Sequence, residues 1–546
     1  MGISSAGIGS GLDVNSIVSS LMAIEQKPLT AVTKQKTAYQ TQISAYGTMT
    51  SALSSFQTAV HALSTASSFN AQTVTSGNPS AFTATANGSS TIGNYAVTVN
   101  QLAASQKLAS AGFANVTDVA ATAGTTLTIA FGTYTAGTNT FTANAAKANI
   151  NIPITAANNT LAGVRDAINA SNSSVSATIV NNGTTNQLVV TSKDTGAVNS
   201  LKISGVTQLA YDPTLAAGNT MTQMQAAKDA LLNIDGIAIV KSSNTISDAV
   251  SGVTLNLLSV SSGGVSANMG VTSNQSAVQT SVSAFVDAYN KLDTTMRSLT
   301  KYDPTGAASG PLLGDATART VTSQIRSVMN QALGGSGTLN TLSQIGVSFQ
   351  ATGQLALDST KLASALTNHF SDIATLFTAS ATATDPQITY SGSTSNTKPG
   401  IYAVTVSQLG SSTVSTVGTI NGLAATSTGS NLVGAAGDPS AGLNINVAGG
   451  ALGARGTVNF TIGYAAKLDS VLTNLLSAGG MVTSRTDGIN TSITQLNKQA
   501  DTLTMRLTAI EASYRAQYTA LDTLMASMST TSTFMTQQIA SLNANR

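Results

Sequence analysis

Side chains able to do chemistry near neutral pH are scarce in this chain. It carries two histidines, His61 and His369, and no cysteine in 546 residues, so proton transfer or nucleophilic attack would have to run through two imidazoles or through carboxylates. His61 stands beside Val60 and Leu63 of an apolar helical series, and His369 adjoins Phe370; both read as ordinary helix residues. The carboxylates are aspartates apart from Glu25 and Glu511, and no group of them has the spacing of an EF-hand or a Gly-Asp calcium repeat. An HExxH pair of zinc ligands is absent. Gly449, Gly450, Gly453 and Gly456 form a loose glycine-rich stretch that fits neither a P-loop nor a dinucleotide fingerprint. The reading is a protein that is not an enzyme, with no catalytic residues, no metal ligands and no cofactor.

The chemistry that remains is that of binding, and it is concentrated at the C-terminal end. Ile493, Ala500, Leu507, Tyr514, Leu521, Met528, Met535 and Leu542 recur every seven residues, with Ile489, Leu496, Leu503, Ile510 and Leu524 as a companion series. Gly488 is the last glycine and no proline follows it. A seam of this length without a breaker predicts a coiled-coil or bundle helix that reaches other helices or other chains. Gln517, Thr531 and Gln538 then take companion positions and weaken the seam toward its end. Tyr514, Tyr518, Met525, Met528 and Met535 suit either a plain bundle core or a partner groove. One face can serve both in turn, because methionine adapts to several packings.

The remaining elements must position this seam. A short helix is expected around Val14 to Ile24 after a Ser- and Gly-rich leader over residues 1 to 11. A long helix follows, with apolar residues from Leu29 through Tyr46, Met49, Leu53, Phe56 and Val60 to Leu63, and with Pro28 in its first turn. Residues 73 to 273 alternate Thr, Val and Ile between turn signals such as Asn182-Gly183 and Asp235-Gly236, which reads as a β-rich block. One unit inside it runs helix (Leu161, Val164, Ile168), strand (Val175, Ala177, Ile179), turn, and strand (Leu188 to Thr191). Helical period returns at Val278 to Leu299, and further helices are expected at Val321 to Leu333 and, capped by Asp358 or Ser359, at Leu362 to Phe377. A second β-block spans 381 to 465. Its GIYAVTVSQLGSS (400 to 412) echoes GNYAVTVNQLAAS (93 to 105), as a duplicated β-unit would.

Composition bounds what such a chain does. Only 8% of residues are charged and 42% are hydrophobic, with a net charge of +2, so the polar surface is made by Ser, Thr, Asn and Gln and offers no basic face to nucleic acid. Every apolar run is interrupted well short of the roughly 18 residues a membrane span needs, so no membrane insertion is expected. Without cysteine, packing alone stabilises the domains. The N-terminus lacks the charged and apolar regions of a Sec signal, so export is expected by another route. The fold class is α+β multidomain: a long coiled-coil-like helical leg formed by both termini and a central helical segment, with β-rich head domains inserted. The expected division is 1–40 leader and terminal helix, 41–72 leg helix, 73–273 β-rich head with an inner subdomain at about 130–230, 274–380 helical leg, 381–465 extra β-rich insert, and 466–546 C-terminal leg and terminal helix.

Ordered blocks of sequence then carry a resemblance. GIGSGLDVNSIVSSLMAIEQKPL (7 to 29), NIDGIAIVKSSNTISDAVSGVTLNL (233 to 257), FVDAYNKL (285 to 292), GPLLGDATAR (310 to 319), IGVSFQATGQLALDSTKL (345 to 362) and the terminal FMTQQIASL (534 to 542) resemble, in order, the flagellar hook-associated protein 2 family, the caps of bacterial flagellar filaments. TLAGVRDAINASNSSVSATIV (160 to 180) with LVVTSKDTG (188 to 196) is similar to the IN motif of axial flagellar proteins. The block at 381 to 465 departs from shorter members of the family.

The resemblance implies a secreted protein at the filament tip, exported unfolded through the flagellar type III channel. It implies a homo-oligomeric ring of roughly four to six subunits, contacts with flagellin and hook-filament junction proteins, and folding and insertion of exported flagellin beneath the cap. It also implies a cytoplasmic export chaperone on the C-terminal helix, for which Leu521, Leu524, Met528, Met535 and Leu542 are the candidate partner-binding residues. Flagellin or a hook-filament junction protein is the alternative within the same structural class. An adhesin binding host glycan or mucin is the alternative outside it.

Overall fold

The computed structural model describes residues 13–171, 174–306, 308–334, 338–411 and 413–544, with side chains to residue 541; the expected leader over residues 1 to 11 lies outside them. Along the chain the helices are α1 (Val14–Glu25), α2 (Lys27–Ser64), α3 (Leu161–Ala170), α4 (Gln275–Thr300), α5 (Ala316–Asn330), α6 (Ser359–Asn368), α7 (Phe370–Phe377), α8 (Tyr464–Leu476) and α9 (Met481–Ala544). Side-chain oxygens of Asp13, Thr160, Asp315 and Asp358 accept N–H groups in the first turns of α1, α3, α5 and α6, satisfying donors that a helix start leaves without an intrahelical partner. Pro28 occupies the first turn of α2, where a missing N–H costs nothing. The chain divides into two compact units, Phe69–Asn274 and Met1–Ser68 with Gln275–Arg546.

The second of these units is built on a helical bundle. Tyr46, Met49, Leu53, Phe56, Val60 and Leu63 of α2 are fully buried, and α2 packs on α4, α8 and α9. Phe56 meets Phe285 at 5.6 Å and Tyr289 at 5.9 Å between ring centroids, and Phe285 in turn meets Phe377 edge-on at 6.3 Å. These tilted and edge contacts are the arrangements aromatic quadrupoles favour.

Two helical expectations need correction. The helix expected over Val321 to Leu333 begins earlier, at Ala316, because Asp315 caps it. The single helix expected from Leu362 to Phe377 is α6 and α7, broken at His369, whose backbone leaves the helical region at φ −138°, ψ 38°. Leu366 and Ile373 both remain buried across the break, so the apolar spacing continues and conceals it.

Between α7 and α8 the chain forms a β-sandwich. Its five-stranded sheet has the spatial order Ala379–Ala383, Gly453–Ile462, Gly400–Gln408, Val417–Ile420, Leu423–Ala424; the other sheet is Ile388–Gly392, Asn444–Val447, Asn431–Val433, Thr426–Thr428. Val404, Val406, Ile420, Leu432, Leu443, Ile445 and Phe460 fill the space between them. First and last strands are paired, and the Gly463 N–H donates to the Thr378 carbonyl at 2.8 Å. The bundle therefore closes behind the sandwich. Gly450, at φ +101°, lies against the guanidinium of Arg455, where a Cβ would meet Arg455 Nη2 and Gln387 Oε1 at 2.3 Å each. Gly450 thus makes room for the buried Arg455, which pairs with the half-buried Asp385 at 2.5 Å.

The unit Phe69–Asn274 holds a sandwich of the same plan. Its five-stranded sheet runs Gln72–Ser76, Ala267–Ser273, Gly93–Gln101, Ala230–Ile234, Ile237–Lys241, and its second sheet Thr245–Val250, Val253–Leu257, Phe82–Ala86. The two echoing segments are the central strands of the two five-stranded sheets. Both bulge at the same position: Asn100 is skipped between Val99↔Leu232 and Gln101↔Leu231, and Ser407 between Val406↔Gly418 and Gln408↔Val417. Their hairpins turn on Asp235-Gly236 (φ 50° and 83°) and Asn421-Gly422 (φ 56° and 80°), the double positive φ of a type I′ turn. In each, the N–H of the first turn residue reaches an equivalent alanine, Ala96 at 2.9 Å or Ala403 at 2.8 Å. Shared strand order, bulge and turn are what a duplicated β-unit requires.

The first copy differs by an insertion. Ala104 and Lys228 exchange backbone hydrogen bonds of 2.9 and 3.0 Å, and the chain between them builds a separate core that begins at Leu108 and includes Phe131, Leu161, Val164, Ile168, Leu188 and Val190. That core starts well before residue 130, the expected boundary, because the strands Lys107–Ser110 and Thr126–Thr135 both belong to it. α3 packs on the strand Val175–Asn181, which pairs through the Asn182-Gly183 turn with Asn186–Ser192.

Candidate functional site

At 64 residues, α9 would run about 96 Å at 1.5 Å per residue, and its apolar stripe meets three different environments. Over the first turns Val482, Ile489 and Leu496 are buried in the bundle. A polar lock fixes this end. Tyr46, fully buried on α2, donates its hydroxyl hydrogen to Asp315 Oδ1 at 2.7 Å, the Ala318 N–H donates to the same oxygen at 3.0 Å, and Arg485 of α9 stands 3.4 Å from Oδ2. Burial pushes the Asp315 carboxyl upward, but the Tyr46 and Ala318 hydrogen bonds and the Arg485 charge outweigh it and hold the group below its ordinary value. Burial, reinforced by the bond to Asp315, raises the Tyr46 phenol.

Farther along, α1 covers the stripe. Val14, Val18 and Met22, four residues apart on one face of α1, pack on Leu507, Ile510, Tyr514 and Tyr518. Arg515 Nη1 donates to Asn15 Oδ1 at 2.9 Å, Tyr514 Oη approaches Glu25 Oε1 at 3.5 Å, and Arg515 also pairs with Glu511 at 2.9 Å.

Beyond Tyr518 the helix is still covered at Asp522, which is buried, but the apolar side chains of the stripe are open. Leu521, Leu524, Met528 and Met535 are 42%, 56%, 64% and 58% exposed. The side chain of Leu542, the fifth candidate, lies outside the described residues. Met525, Phe534 and Ile539 join the exposed surface. Met525 is one of the residues the sequence marks as suited to a partner groove; a strict count of seven passes over Phe534 and Ile539, of which the alternation of threes and fours on one helix face would have found Ile539. The hydroxyls of Thr523, Thr530, Thr531, Thr533 and Thr536 donate to carbonyls four residues earlier. These hydroxyls are satisfied within the helix, whereas the exposed apolar side chains have surface to gain from a partner.

The histidines occupy other places. His61 projects from α2 with its side chain 67% exposed and Nδ1 3.5 Å from Asp469, and His369 marks the α6–α7 break with Nδ1 3.6 Å from Asp372. Among the described residues no group of three or more His, Asp or Glu side chains is arranged to hold a metal ion, and no helix is long and apolar enough to cross a membrane.

Long terminal helices that close a bundle, β-modules inserted through paired ends, and an apolar stripe left open at one helix end define a multidomain α+β subunit of a larger assembly. The C-terminal model of flagellar hook-associated protein 2 matches residues 227–530 and the N-terminal model residues 10–106. Flagellar hook-associated protein 2 of Escherichia coli K12 is 34% identical over 98% of each chain, and that of Aeromonas caviae is 26% identical over 97% of this chain and 96% of its own. A crystal structure of the D1-D2-D3 domains of the E. coli flagellar cap protein FliD, 32% identical, covers 82% of this chain and 99% of its own at a TM-score of 0.55. The chain belongs to the flagellar hook-associated protein 2 family.

Proposed function

We propose that this protein caps the distal tip of the bacterial flagellar filament, outside the cell, where it retains exported flagellin and promotes its folding and insertion. The observation that carries the reading is family membership along essentially the whole chain, together with the likeness to the E. coli cap protein. It acts as a structural protein and not as an enzyme. It works as a homo-oligomeric ring in contact with flagellin and with hook-filament junction proteins. The modules we assign are a helical leg (13–68, 275–378 and 463–544), an outer sandwich (72–101 with 230–273), an inner module (107–225) and a second sandwich (379–462).

The open stripe of α9 suits a partner that changes. Before export a chaperone covers Leu521, Leu524, Met528, Met535 and Leu542; at the tip the same face meets filament subunits. Its methionines conform to both. Its polar interruptions at Gln517, Thr531 and Gln538 keep the contact short-lived, as advance of the cap with each added subunit requires.

Negative-stain electron microscopy of the full chain, alone and with flagellin filaments, tests the reading. Rings with density at filament ends are expected. Long filaments of this chain alone, or monomers that never decorate an end, would remove the capping function. The triple variant Leu524→Asp, Met528→Asp, Met535→Asp changes only exposed side chains, so its unfolding midpoint should stay within about 2 °C of the parent. Cells carrying it should shed flagellin into the medium and lose motility; normal filaments would exclude this stripe as the working surface.

A further inference from the structure

Three of the chain's nine arginines, Arg297, Arg319 and Arg326, line one groove of about 600 Å³ between α4 and α5. At its floor lies Asp293, with its side chain 3% exposed, paired with Arg297 at 2.6 Å and Arg326 at 2.7 Å. Arg297 also donates to the Thr352 carbonyl, and Arg326 Nε donates to the Tyr289 hydroxyl at 3.2 Å. This network joins α4 to α5 and accounts for two of the arginines. It does not account for the third. Arg319 is exposed and makes no ion pair among the described residues, and one carboxylate facing three guanidinium groups leaves the groove with an excess of two positive charges. In a chain with 8% charged residues, such an excess is a recognition feature rather than a solubilising one.

We propose that this groove docks a helix of a partner protein bearing acidic side chains at positions i and i+7. Arg319 and Arg326 are seven residues apart on α5, about 10 Å along the axis, and acids two turns apart on a helix lying along the groove face both. Arginine suits this task because its planar fork takes a carboxylate through two parallel hydrogen bonds. Arg319 offers that whole fork, whereas Arg326, whose Nε and Nη2 are already held by Tyr289 and Asp293, meets the second acid through Nη1 and loses little side-chain entropy in doing so. Ser323 and Ser327, on the same face of α5, are short enough to let a third helix approach. The proposal stands on these charges and does not depend on capping.

The test uses the full chain and two fluorescein-labelled helical peptides in an alanine-glutamine host, one with two glutamates seven residues apart and one with glutamine at both places. Anisotropy should show saturable binding of the glutamate peptide only. Arg319→Gln should weaken it at least about ten-fold with an unchanged unfolding midpoint, and Arg319→Lys should fall between. Absence of saturable binding, equal binding of the glutamine peptide, or full affinity in Arg319→Gln would overturn the proposal. So would equal affinity for a short DNA duplex, which would make the groove a general anion site.

Discussion

Asp315 shows how much one carboxylate can organise in a chain so poor in charge. It caps α5, accepts the hydroxyl of a fully buried tyrosine on α2 and faces Arg485 on α9, so three segments distant in sequence meet at one side chain. Asp315→Asn keeps the shape and removes the charge. We expect a loss of about 1–2 kcal/mol at neutral pH, measured by denaturant titration of both proteins. The folded-state carboxyl is held below its ordinary value, so its contribution is present above the unfolded value of about 4 and is lost as the pH falls through the folded one. The gap between the two proteins should close on acidification; a gap constant with pH would show that the charge is not what stabilises the joint. Tyr46 and Asp315 are visible in the sequence as a residue of an apolar series and a member of the GPLLGDATAR block, but nothing local announces that they meet.

Among the elements, the α1–α9 contact is a small one, separate from the main bundle core. The apolar part of the α1 contact is three side chains of a 12-residue helix, too short to be stable without its partner. Val18, 1% exposed, is its centre. Val18→Asp would bury an unpaired charge and should release α1 while leaving the bundle intact. Hydrogen exchange over residues 14 to 25 is expected to accelerate roughly a hundred-fold, equivalent to about 3 kcal/mol, with no change over residues 46 to 63. Acceleration in both segments would mean that α1 is an integral part of the bundle. The heptad pattern predicted one seam, and the structure divides that seam among the bundle, α1 and solvent, because the segments that could cover it are of limited length.

At the scale of the whole molecule the governing device is insertion through paired ends. Thr378 and Gly463 are hydrogen-bonded at 2.8 Å, Ala104 and Lys228 at 2.9 and 3.0 Å, and Ala71 and Asn274 at 2.9 Å. Each pair brings the two ends of an inserted module together, so each module can be added or removed at a small entropic cost to its host. Replacing residues 380 to 461 with a short Gly-Ser linker should leave the bundle's unfolding midpoint within about 3 °C of the parent, read by circular dichroism at the helical minimum. Loss of cooperative unfolding would show that the sandwich supports the bundle.

The sequence by itself determined the α+β class, the long helices α2, α4 and α9 with the short α1, and the repeated β-strand, because each is written in local periods: threes and fours for helices, twos for strands, and a fixed word for the repeat. It also located the C-terminal stripe, since apolar residues on a helix with no glycine or proline after Gly488 leave few other structures open. Tertiary structure decided which part of that stripe stays uncovered, where the inner module begins, and that α6 and α7 are separate helices. These depend on pairings between residues far apart in the chain. Neither the Ala104–Lys228 bridge nor the Tyr46–Asp315–Arg485 joint leaves a periodic trace, and His369 interrupts the backbone without interrupting the apolar spacing around it. The arginine groove belongs with them, for Arg297 and Arg326 come together only when α4 and α5 close over Asp293.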